Sequence, residues 1–502
     1  MISLKSSLLF LPTVNMTNFL EIKQKSIKSI KWTFLTELLN RSIGPLITLI
    51  LVRILLPENF GLFAGAAAIV ILIESLHDFG LSRTLIRTNQ RRLDQLFDSA
   101  FWTMVIFSLI LYILVFFLAP YIASFYQSPA MINVLRVLAL ETLLPISLLR
   151  ALEQKKFNFN KLFIIQIISI IVPGIIGIPL ALLKFGVWSL VYGYLATSLF
   201  IFIYLLIIVD HRLKFKFDFK KIRNLIKISS WIFAENIFVW FFPYGEFLII
   251  GHYLGPNNLG IYQIAYAFLA MVFGIVVGHS LPVSYSLFSK LQTQKIILKK
   301  TLMNITQMIV FISLPLGMET FLLARPITSL FFNQKWFGIE FIIALLGIRF
   351  VLIQFLIIMP EALRAIGRAD LNAKLYLLGI IYSIPIYILA APHGLKFFTL
   401  ITIAVTFFDN LIFAYILKKT LQIPFIFYYR ASLWPLVGTL ILGSIIYLIT
   451  KLSSDFIFPW GIIKLVSIIV VAIFAYLAFE QFFEPKFTKK ILRNLKLAFV
   501  RN

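Results

Sequence analysis

Long apolar stretches divide the chain into segments, each about as long as a membrane-spanning helix. Such a helix needs about 20 mostly apolar residues, and fourteen stretches of this kind follow one another along the sequence. They lie near 30–53, 60–79, 98–119, 130–150, 161–183, 186–209, 225–253, 258–285, 301–323, 337–362, 371–391, 397–417, 431–451 and 460–482. The pattern predicts an all-α polytopic membrane protein with about 14 transmembrane helices.

Basic residues are concentrated at every second connection and at the two ends of the chain. Thirty-six of the 46 Lys and Arg residues fall in these eight short segments. Loops rich in Lys and Arg remain on the cytoplasmic side of a membrane. The distribution therefore predicts a multi-pass protein of the bacterial cytoplasmic membrane with both termini in the cytoplasm. It also explains the net charge of +25 without a nucleic-acid partner.

Composition supports this interpretation and restricts the chemistry. The chain is 60% hydrophobic and 13% charged, whereas soluble domains are about 45–50% apolar and about 25% charged. The absence of Cys excludes disulfides, thiolate metal sites and Cys nucleophiles. Residues 1–28 are expected to form a cytoplasmic tail, with Met16 as an alternative start.

Short motifs occur twice along the chain. Leu55, Pro57, Asn59 and Gly61 recur as Leu254, Pro256, Asn258 and Gly260; Arg150, Ala151 and Asn158 recur as Arg364, Ala365 and Asn372; Arg136 recurs as Arg349. Their common order predicts two parallel six-helix lobes, an arrangement typical of transporters. The lobes would comprise 29–209 and 225–418, joined by the basic linker 210–224. A helix pair at 431–482 and a basic cytoplasmic tail at 483–502 would follow.

Catalytic motifs are missing from the sequence. It has no phosphate-binding P-loop, no zinc-binding His-Glu-x-x-His, no nucleophile elbow and no dinucleotide fingerprint. The five His residues are scattered. We therefore expect neither an enzyme nor a cofactor or metal site.

Charged residues inside the predicted helices are the strongest functional signal. A charge at the centre of a spanning helix costs about 2.5–3.5 kcal/mol on insertion scales, so it usually faces a partner or a wet cavity. Glu37, Asn40 and Arg41 lie on one polar face of the first helix. This face would form either a cavity wall with a cationic anchor or a self-neutralised ion pair.

Arg136 and Arg349 occupy corresponding positions in the two halves of the repeat. A guanidinium binds phosphate in a bidentate manner, so the two arginines are candidates to face one central cavity. The alternative is that each pairs with a nearby acid, Glu141 or Glu340.

Acidic residues in the helices are candidates for binding a proton or Na⁺ that drives transport. Glu235 and Glu246 are about three turns apart and share a helix face. They could equally neutralise cavity arginines. Glu74 and Asp78 are candidates for the same coupling role, with pairing to Arg83 or Arg87 as the ordinary alternative. Further acids within the spans are Glu319, Glu361 and Asp409.

The segment 51–63 resembles polysaccharide-export flippases of the Wzx type. That family shows Arg-x-Leu-x-Pro-x-x-x-Gly at the entry to helix 2, which Arg53, Leu55, Pro57 and Gly61 supply here. The second copy has His252 in the place of Arg53. The stretch 324–336 is also similar to an outer turn of that family. The resemblance covers most of residues 29–420 and extends to a superfamily with multidrug-and-toxin extruders and the lipid II flippase.

The resemblance implies a flippase that moves an undecaprenyl-pyrophosphate-linked oligosaccharide across the cytoplasmic membrane by alternating access. Arg41, Arg136 and Arg349 would hold the pyrophosphate, and Asn40, Glu235 and Asn236 would meet the sugars, with Glu37 in the same cavity wall. Membrane lipids, a polysaccharide polymerase and a chain-length regulator would be its partners. Two alternatives stay open from the residues: a proton- or sodium-coupled drug antiporter, and a membrane enzyme of glycan polymerisation.

Overall fold

The computed structural model describes residues 43–78, 90–156, 158–209, 219–277, 280–452 and 460–483, with the single positions 39, 82 and 214. Within these ranges the side chains of 77–78 and 219–236, among others, are not described. The described residues form α-helices joined by short turns, and no strand occurs among them. The predicted all-α fold is confirmed.

Seventeen α-helices occur in the described part of the chain. They are α1 (Ile43–Ile54), α2 (Pro57–Asp78), α3 (Gln90–Phe125), α4 (Ala130–Leu138), α5 (Ile146–Lys155), α6 (Phe159–Leu182), α7 (Val187–Ile208), α8 (Phe219–Val277), α9 (Ser280–Lys290), α10 (Lys295–Leu322), α11 (Ala324–Phe331), α12 (Ile339–Leu356), α13 (Met359–Ala365), α14 (Ala369–Ala390), α15 (Leu395–Leu421), α16 (Ile426–Leu452) and α17 (Trp460–Phe483). Short 3₁₀ turns occupy Ala139–Leu143, Gln334–Trp336 and Ala391–His393.

Twelve apolar stretches of helix within the described residues are long enough to cross a membrane. Helices suit this environment because they satisfy every backbone N–H and C=O group internally. Their positions match thirteen of the predicted spans, since one stretch, Ile237–Gly274, contains two of them. Half of the first predicted span lies outside the described residues, and α1 contains its described end. The predicted number of about 14 is therefore approximate.

Gly255 separates the two spans within α8. Its φ of 78° and ψ of 173° are not helical, and this backbone conformation is open essentially to glycine alone. The chain reverses here with hardly any connecting loop. Pro256 follows at once, in a position where its missing N–H costs nothing because a new helix begins.

The described residues divide into two compact units. The first is drawn from 1–50, 73–117 and 136–233, and the second from 51–72, 118–135 and 234–502. The second unit thus contains segments from both halves of the sequence repeat. The predicted lobes 29–209 and 225–418 stay a prediction.

Each unit has its own apolar core. In the first, α3, α5, α6 and α7 bury a cluster that includes Phe97, Met104, Leu148, Ile165 and Leu205. In the second, one cluster joins α9, α10, α13 and α15 and includes Phe288, Leu302, Met359 and Leu417. Another packs the C-terminal helices α16 and α17 against α10 and α11 through Leu442, Ile468, Phe311 and Leu330. Many other apolar side chains on the spans are exposed, as expected of surfaces that face lipid.

Candidate functional site

A buried ion pair lies inside the spanning helices of the second unit. The Arg349 Nη1 of α12 donates to Glu246 Oε2 on α8 at 2.8 Å, and its Nη2 contacts Glu246 Oε1. Arg349 is 7% exposed and Glu246 2%. The carboxylate and the guanidinium therefore meet in a bidentate arrangement, which is the strongest geometry for such a pair.

Hydroxyl groups add further hydrogen bonds to this pair. Tyr262 Oη donates to Glu246 Oε2 at 2.7 Å and accepts from Arg349 Nη1 at 2.9 Å. Arg349 Nε donates to Thr406 Oγ1 on α15 at 3.1 Å. Glu246 and Tyr262 lie on the two parts of α8, before and after Gly255. The reversal at Gly255 thus brings the acid and the phenol to the same arginine.

The pair lines a cavity of about 30 Å³, which has room for one or two water molecules. Polar atoms enter it from Glu246, Arg349, Ser383, Tyr387 and Asp409. Asp409 on α15 accepts a hydrogen bond from the Tyr382 hydroxyl on α14. Two carboxylates and one guanidinium therefore meet at one small cavity within the membrane.

The charge at this cavity is unbalanced when both acids are ionised. Arg349 supplies one positive charge, whereas Glu246 and Asp409 together supply two negative charges. Uncompensated charge is costly in a low-dielectric interior. A bound proton or small cation would neutralise the excess negative charge, and so would movement of Glu246 out of the cavity.

Arg136 has a different environment, in the first unit. Its Nε on α4 donates to the Phe116 carbonyl oxygen on α3 at 3.1 Å, and its guanidinium lies 4.1 Å from the centre of the Phe116 ring. Glu141, one of its alternative partners, accepts a hydrogen bond from Ser198 Oγ at 2.6 Å. Arg136 is half-buried, so its remaining N–H groups are accessible to a ligand.

Several sequence candidates lie outside what the structure describes. Glu37, Asn40 and Arg41 belong to residues that it leaves out, and the side chains of Asp78, Glu235 and Asn236 are also outside the description. Their roles stay predictions.

Glu74 contributes to a buried charge cluster in the first unit. It interacts electrostatically with Arg150 on α5 and with Glu141 in the 3₁₀ turn after α4. Arg150 belongs to the repeated motif that the sequence shows at 150–158. Glu74 thus has both a guanidinium and a second carboxylate within electrostatic reach.

Sequence reasoning missed the hydroxyl groups and underrated one acid. Tyr262, Tyr382 and Thr406 gave no signal among the many aromatic and Thr residues. Asp409 was noted only as one acid within a span. Its spacing from Thr406, one helical turn away, places both on the same face of α15, and that was the available signal.

Comparison with known proteins identifies the family of the chain. Residues 50–340, more than half of the chain, match a family described as polysaccharide biosynthesis protein. The succinoglycan biosynthesis transport protein ExoT of Rhizobium meliloti (strain 1021) is 24% identical over 57% of this chain and 58% of its own length. The chain thus spans less than two thirds of that relative. The lipopolysaccharide biosynthesis protein WzxC of Escherichia coli (strain K12) is 22% identical over 65% of the chain and 67% of its own length.

The fold is also that of a solved transporter. The structure of the lipid II flippase MurJ, in an inward closed conformation, has a TM-score of 0.74 to this protein at 16% identity. The match covers 92% of this chain and 99% of that one. This similarity concerns the fold alone. The family match confirms the resemblance found in the sequence: the chain belongs to the polysaccharide biosynthesis protein family.

Proposed function

We propose that this protein is a flippase that moves an undecaprenyl-pyrophosphate-linked oligosaccharide across the cytoplasmic membrane for the synthesis of a surface polysaccharide. The relatives are described as proteins of succinoglycan transport and lipopolysaccharide biosynthesis, and the fold is that of a lipid II flippase. The observation that carries the proposal is the Arg349–Glu246 pair beside a cavity, inside a helix bundle that spans the membrane.

The pyrophosphate group of the substrate would bind Arg349 in place of Glu246. A guanidinium presents the same pair of N–H donors to a phosphate as to a carboxylate. Because Arg349 is almost fully buried, it would be expensive to leave without an anionic partner. The exchange of one anion for another keeps it paired throughout the transport cycle.

When the pyrophosphate replaces Glu246 at Arg349, the buried Glu246 carboxylate would lose its positively charged partner and would need another. A proton or Na⁺ is small enough for the cavity of about 30 Å³, and Asp409 would supply a second oxygen donor for it. Substrate binding and ion binding are thereby coupled through one carboxylate. Glu74, beside Arg150 in the first unit, is a second candidate for the coupling ion.

Arg136 would contact the substrate more weakly than Arg349. Its guanidinium already stacks on Phe116 and makes one hydrogen bond to the backbone.

The proposed substrate cavity also includes Arg41, Glu37, Asn40 and Asn236, whose polar groups would contact the sugars. The lipid chain would remain in the bilayer. A polysaccharide polymerase and a chain-length regulator would use the product.

The test is leaflet exchange of a fluorescent undecaprenyl-pyrophosphate oligosaccharide in liposomes that contain the purified protein. Arg349→Gln, Arg136→Gln and the exposed Arg325→Gln are compared with the parent. We expect exchange to fall at least about tenfold for Arg349→Gln, since a lost charge-assisted contact is worth about 1.5–3 kcal/mol. Arg136→Gln should reduce exchange less, and Arg325→Gln should leave it unchanged.

Other outcomes would redirect the proposal. Exchange that is equal in the parent and in folded Arg349→Gln would retain the flippase and reject this binding site. No exchange of any lipid-linked glycan, together with proton- or sodium-driven export of a cationic dye, would identify an antiporter. The two acids at the cavity favour that second function, because a cationic drug could bind them directly.

A further inference from the structure

Arg53, at the end of α1, binds the end of a helix from the other half of the repeat. Its Nε donates to the Phe331 carbonyl oxygen at 3.3 Å, and its Nη2 contacts the Leu330 carbonyl oxygen. Both carbonyls belong to the last turn of α11, where intrahelical partners run out. A cation is also favourable there because the helix dipole is negative at this end. Arg53 thus caps α11.

His252, in the second half of the repeat, makes the corresponding contact to a helix end in the first half. Its Nδ1 lies 2.7 Å from the Phe125 carbonyl oxygen at the end of α3, and since a carbonyl only accepts, the ring nitrogen donates. The imidazole also stacks on the Phe125 ring, with centroids 4.3 Å apart. His252 occupies the repeat position of Arg53. Each half therefore caps a helix end of the other half: Arg53 caps the short helix α11 that follows α10, and His252 caps α3.

The acceptor side of these contacts repeats as well. Pro120, Phe125 and Gln127 have the same spacing as Pro326, Phe331 and Asn333. Asn333 Nδ2 returns a hydrogen bond to the Arg53 carbonyl oxygen at 2.8 Å, and Gln127 Nε2 returns one to the His252 carbonyl oxygen at 3.3 Å. The two contacts are thus reciprocal and related by the symmetry of the repeat.

A tight helix crossing lies next to them, within the same unit. A Cβ atom added to Gly61 would lie 1.7 Å from the Pro256 carbonyl oxygen, and one added to Gly260 would lie 1.8 Å from that of Pro57. The Tyr126 ring fills the space beside Gly65 and Gly251, and burial raises the pKa of its phenol. The backbones of α2 and the second part of α8 are therefore in close contact at this crossing.

All these residues lie at the helix ends opposite to the basic loops. The chain reaches Phe125 along α3 from the basic segment near Arg92, and it reaches His252 along α8 from the basic linker. Helix α2 runs from Pro57 toward the basic segment that begins at Arg83. The crossing therefore lies at the face that we assign to the outside by the positive-inside bias.

We propose that Arg53 and His252 are two symmetry-related latches that hold the protein closed at this face, and that both must release before substrate can leave there. The contacts themselves are seen in the structure. Only their release during transport rests on the proposed function. The Arg53 latch is the stronger one, because it contacts two carbonyl groups and is permanently charged. The His252 latch has one hydrogen bond and a stacked ring.

A single cysteine measures opening directly, because the chain contains none. Ala64 is 5% exposed and lies one turn after Gly61, on the face of α2 that also brings the Ala68 carbonyl to Trp240. Ala64→Cys should therefore react with a membrane-impermeant maleimide only when the crossing opens. Proteoliposomes are labelled from outside, and the rate is followed for molecules whose non-basic face is outward.

We expect Arg53→Ala to raise the labelling rate about tenfold or more, as loss of a charge-assisted hydrogen bond implies. His252→Ala should raise it several-fold. Because the two latches share no partner, the double variant should show about the product of the two factors. Arg325→Ala, an exposed arginine on the capped helix itself, is the matched control and should leave the rate unchanged.

His252→Arg separates release of a latch from general damage to the fold. It makes the two latches alike and should slow labelling several-fold, whereas misfolding can only accelerate it. Rates in both single alanine variants equal to that of the parent would overturn the proposal. The labelling needs no substrate, so this result is distinguishable from a failure of the flipping assay.

Discussion

Arg349 and Glu246 depend on each other because each is a buried charge. Removal of one partner from such a pair leaves the other without compensation and costs about 3–5 kcal/mol. An apolar pair of similar size avoids both desolvation penalties and is often as stable as the ion pair itself. The retention of two charges at this position therefore calls for an explanation other than stability, and transport of an anion supplies one.

Substitutions at this pair should separate stability from transport. We expect Arg349→Met and Glu246→Leu, made singly, each to lower the free energy of unfolding by about 3–5 kcal/mol. The double variant should regain most of that loss but remain inactive in the flipping assay. The measurement is the melting temperature of the purified protein in detergent, with Arg325→Met as an exposed control that changes stability by less than about 0.5 kcal/mol.

A double variant that stays as unstable as the singles would contradict this view. It would mean that the network of Tyr262 and Thr406 around the pair, and not the balance of charge, determines stability here. A double variant that is stable and still flips substrate would show that the pair has no part in transport.

At the scale of helices, the crossing of α2 with the second part of α8 depends on two glycines. Gly61 packs against the backbone of Pro256, and Gly260 packs against the backbone of Pro57. A side chain added at either glycine would therefore collide with backbone and not with a flexible side chain. A stiff obstacle of this kind cannot move aside locally. The helices themselves would have to separate.

Gly61→Ala should therefore lower the free energy of unfolding by about 1–3 kcal/mol, as overpacking does in well-packed cores. Gly44→Ala is the matched control, since a Cβ at Gly44 meets nothing within 4 Å. This control should be neutral or stabilising by up to about 1 kcal/mol, because Ala favours the helix. Melting temperatures of the two variants in detergent make the comparison, and equal values would refute the close crossing.

The elements were predictable to a large extent, because apolar length alone defines a span. The segment boundaries at 161–183, 186–209 and 460–482 fall within two residues of α6, α7 and α17. The break at Gly255 was predicted as well, since the predicted spans 225–253 and 258–285 end and begin on either side of it. The Leu-x-Pro-x-Asn-x-Gly repeat around it indicated a turn, but not that its glycine would touch the first copy.

The candidate site was less predictable, since a sequence shows which charges are buried but not which ones meet. Arg349 and Glu246 were both candidates, one for phosphate and one for the coupling ion, and the structure joins them. Their separation along the chain hides this contact. The motifs at 51–63 and 324–336 were likewise noted separately. They meet because Arg53 caps α11 while Asn333 returns a bond to its carbonyl.

At the scale of the whole molecule, the two halves of the repeat are alike in backbone contacts and unlike in chemistry. Arg53 corresponds to His252, and the buried clusters around Arg150 and Arg349 use different residues. Under the proposed function the two halves would serve separate tasks, with the proposed anion site at Arg349.

The orientation of the helices in the membrane determines which side each helix end faces. The distribution of Lys and Arg residues predicts this orientation. We expect the basic segments to face the cytoplasm, so an exposed position beside Lys290–Lys300 and one beside Gly255 must lie on opposite sides. Thr293→Cys and Asn257→Cys, both exposed, each introduce a sole cysteine. A membrane-impermeant maleimide should label Asn257→Cys in intact cells and Thr293→Cys only in inverted vesicles. The reverse pattern would place the Arg53 and His252 latches at the cytoplasmic face, where they would control entry of the substrate instead of its release.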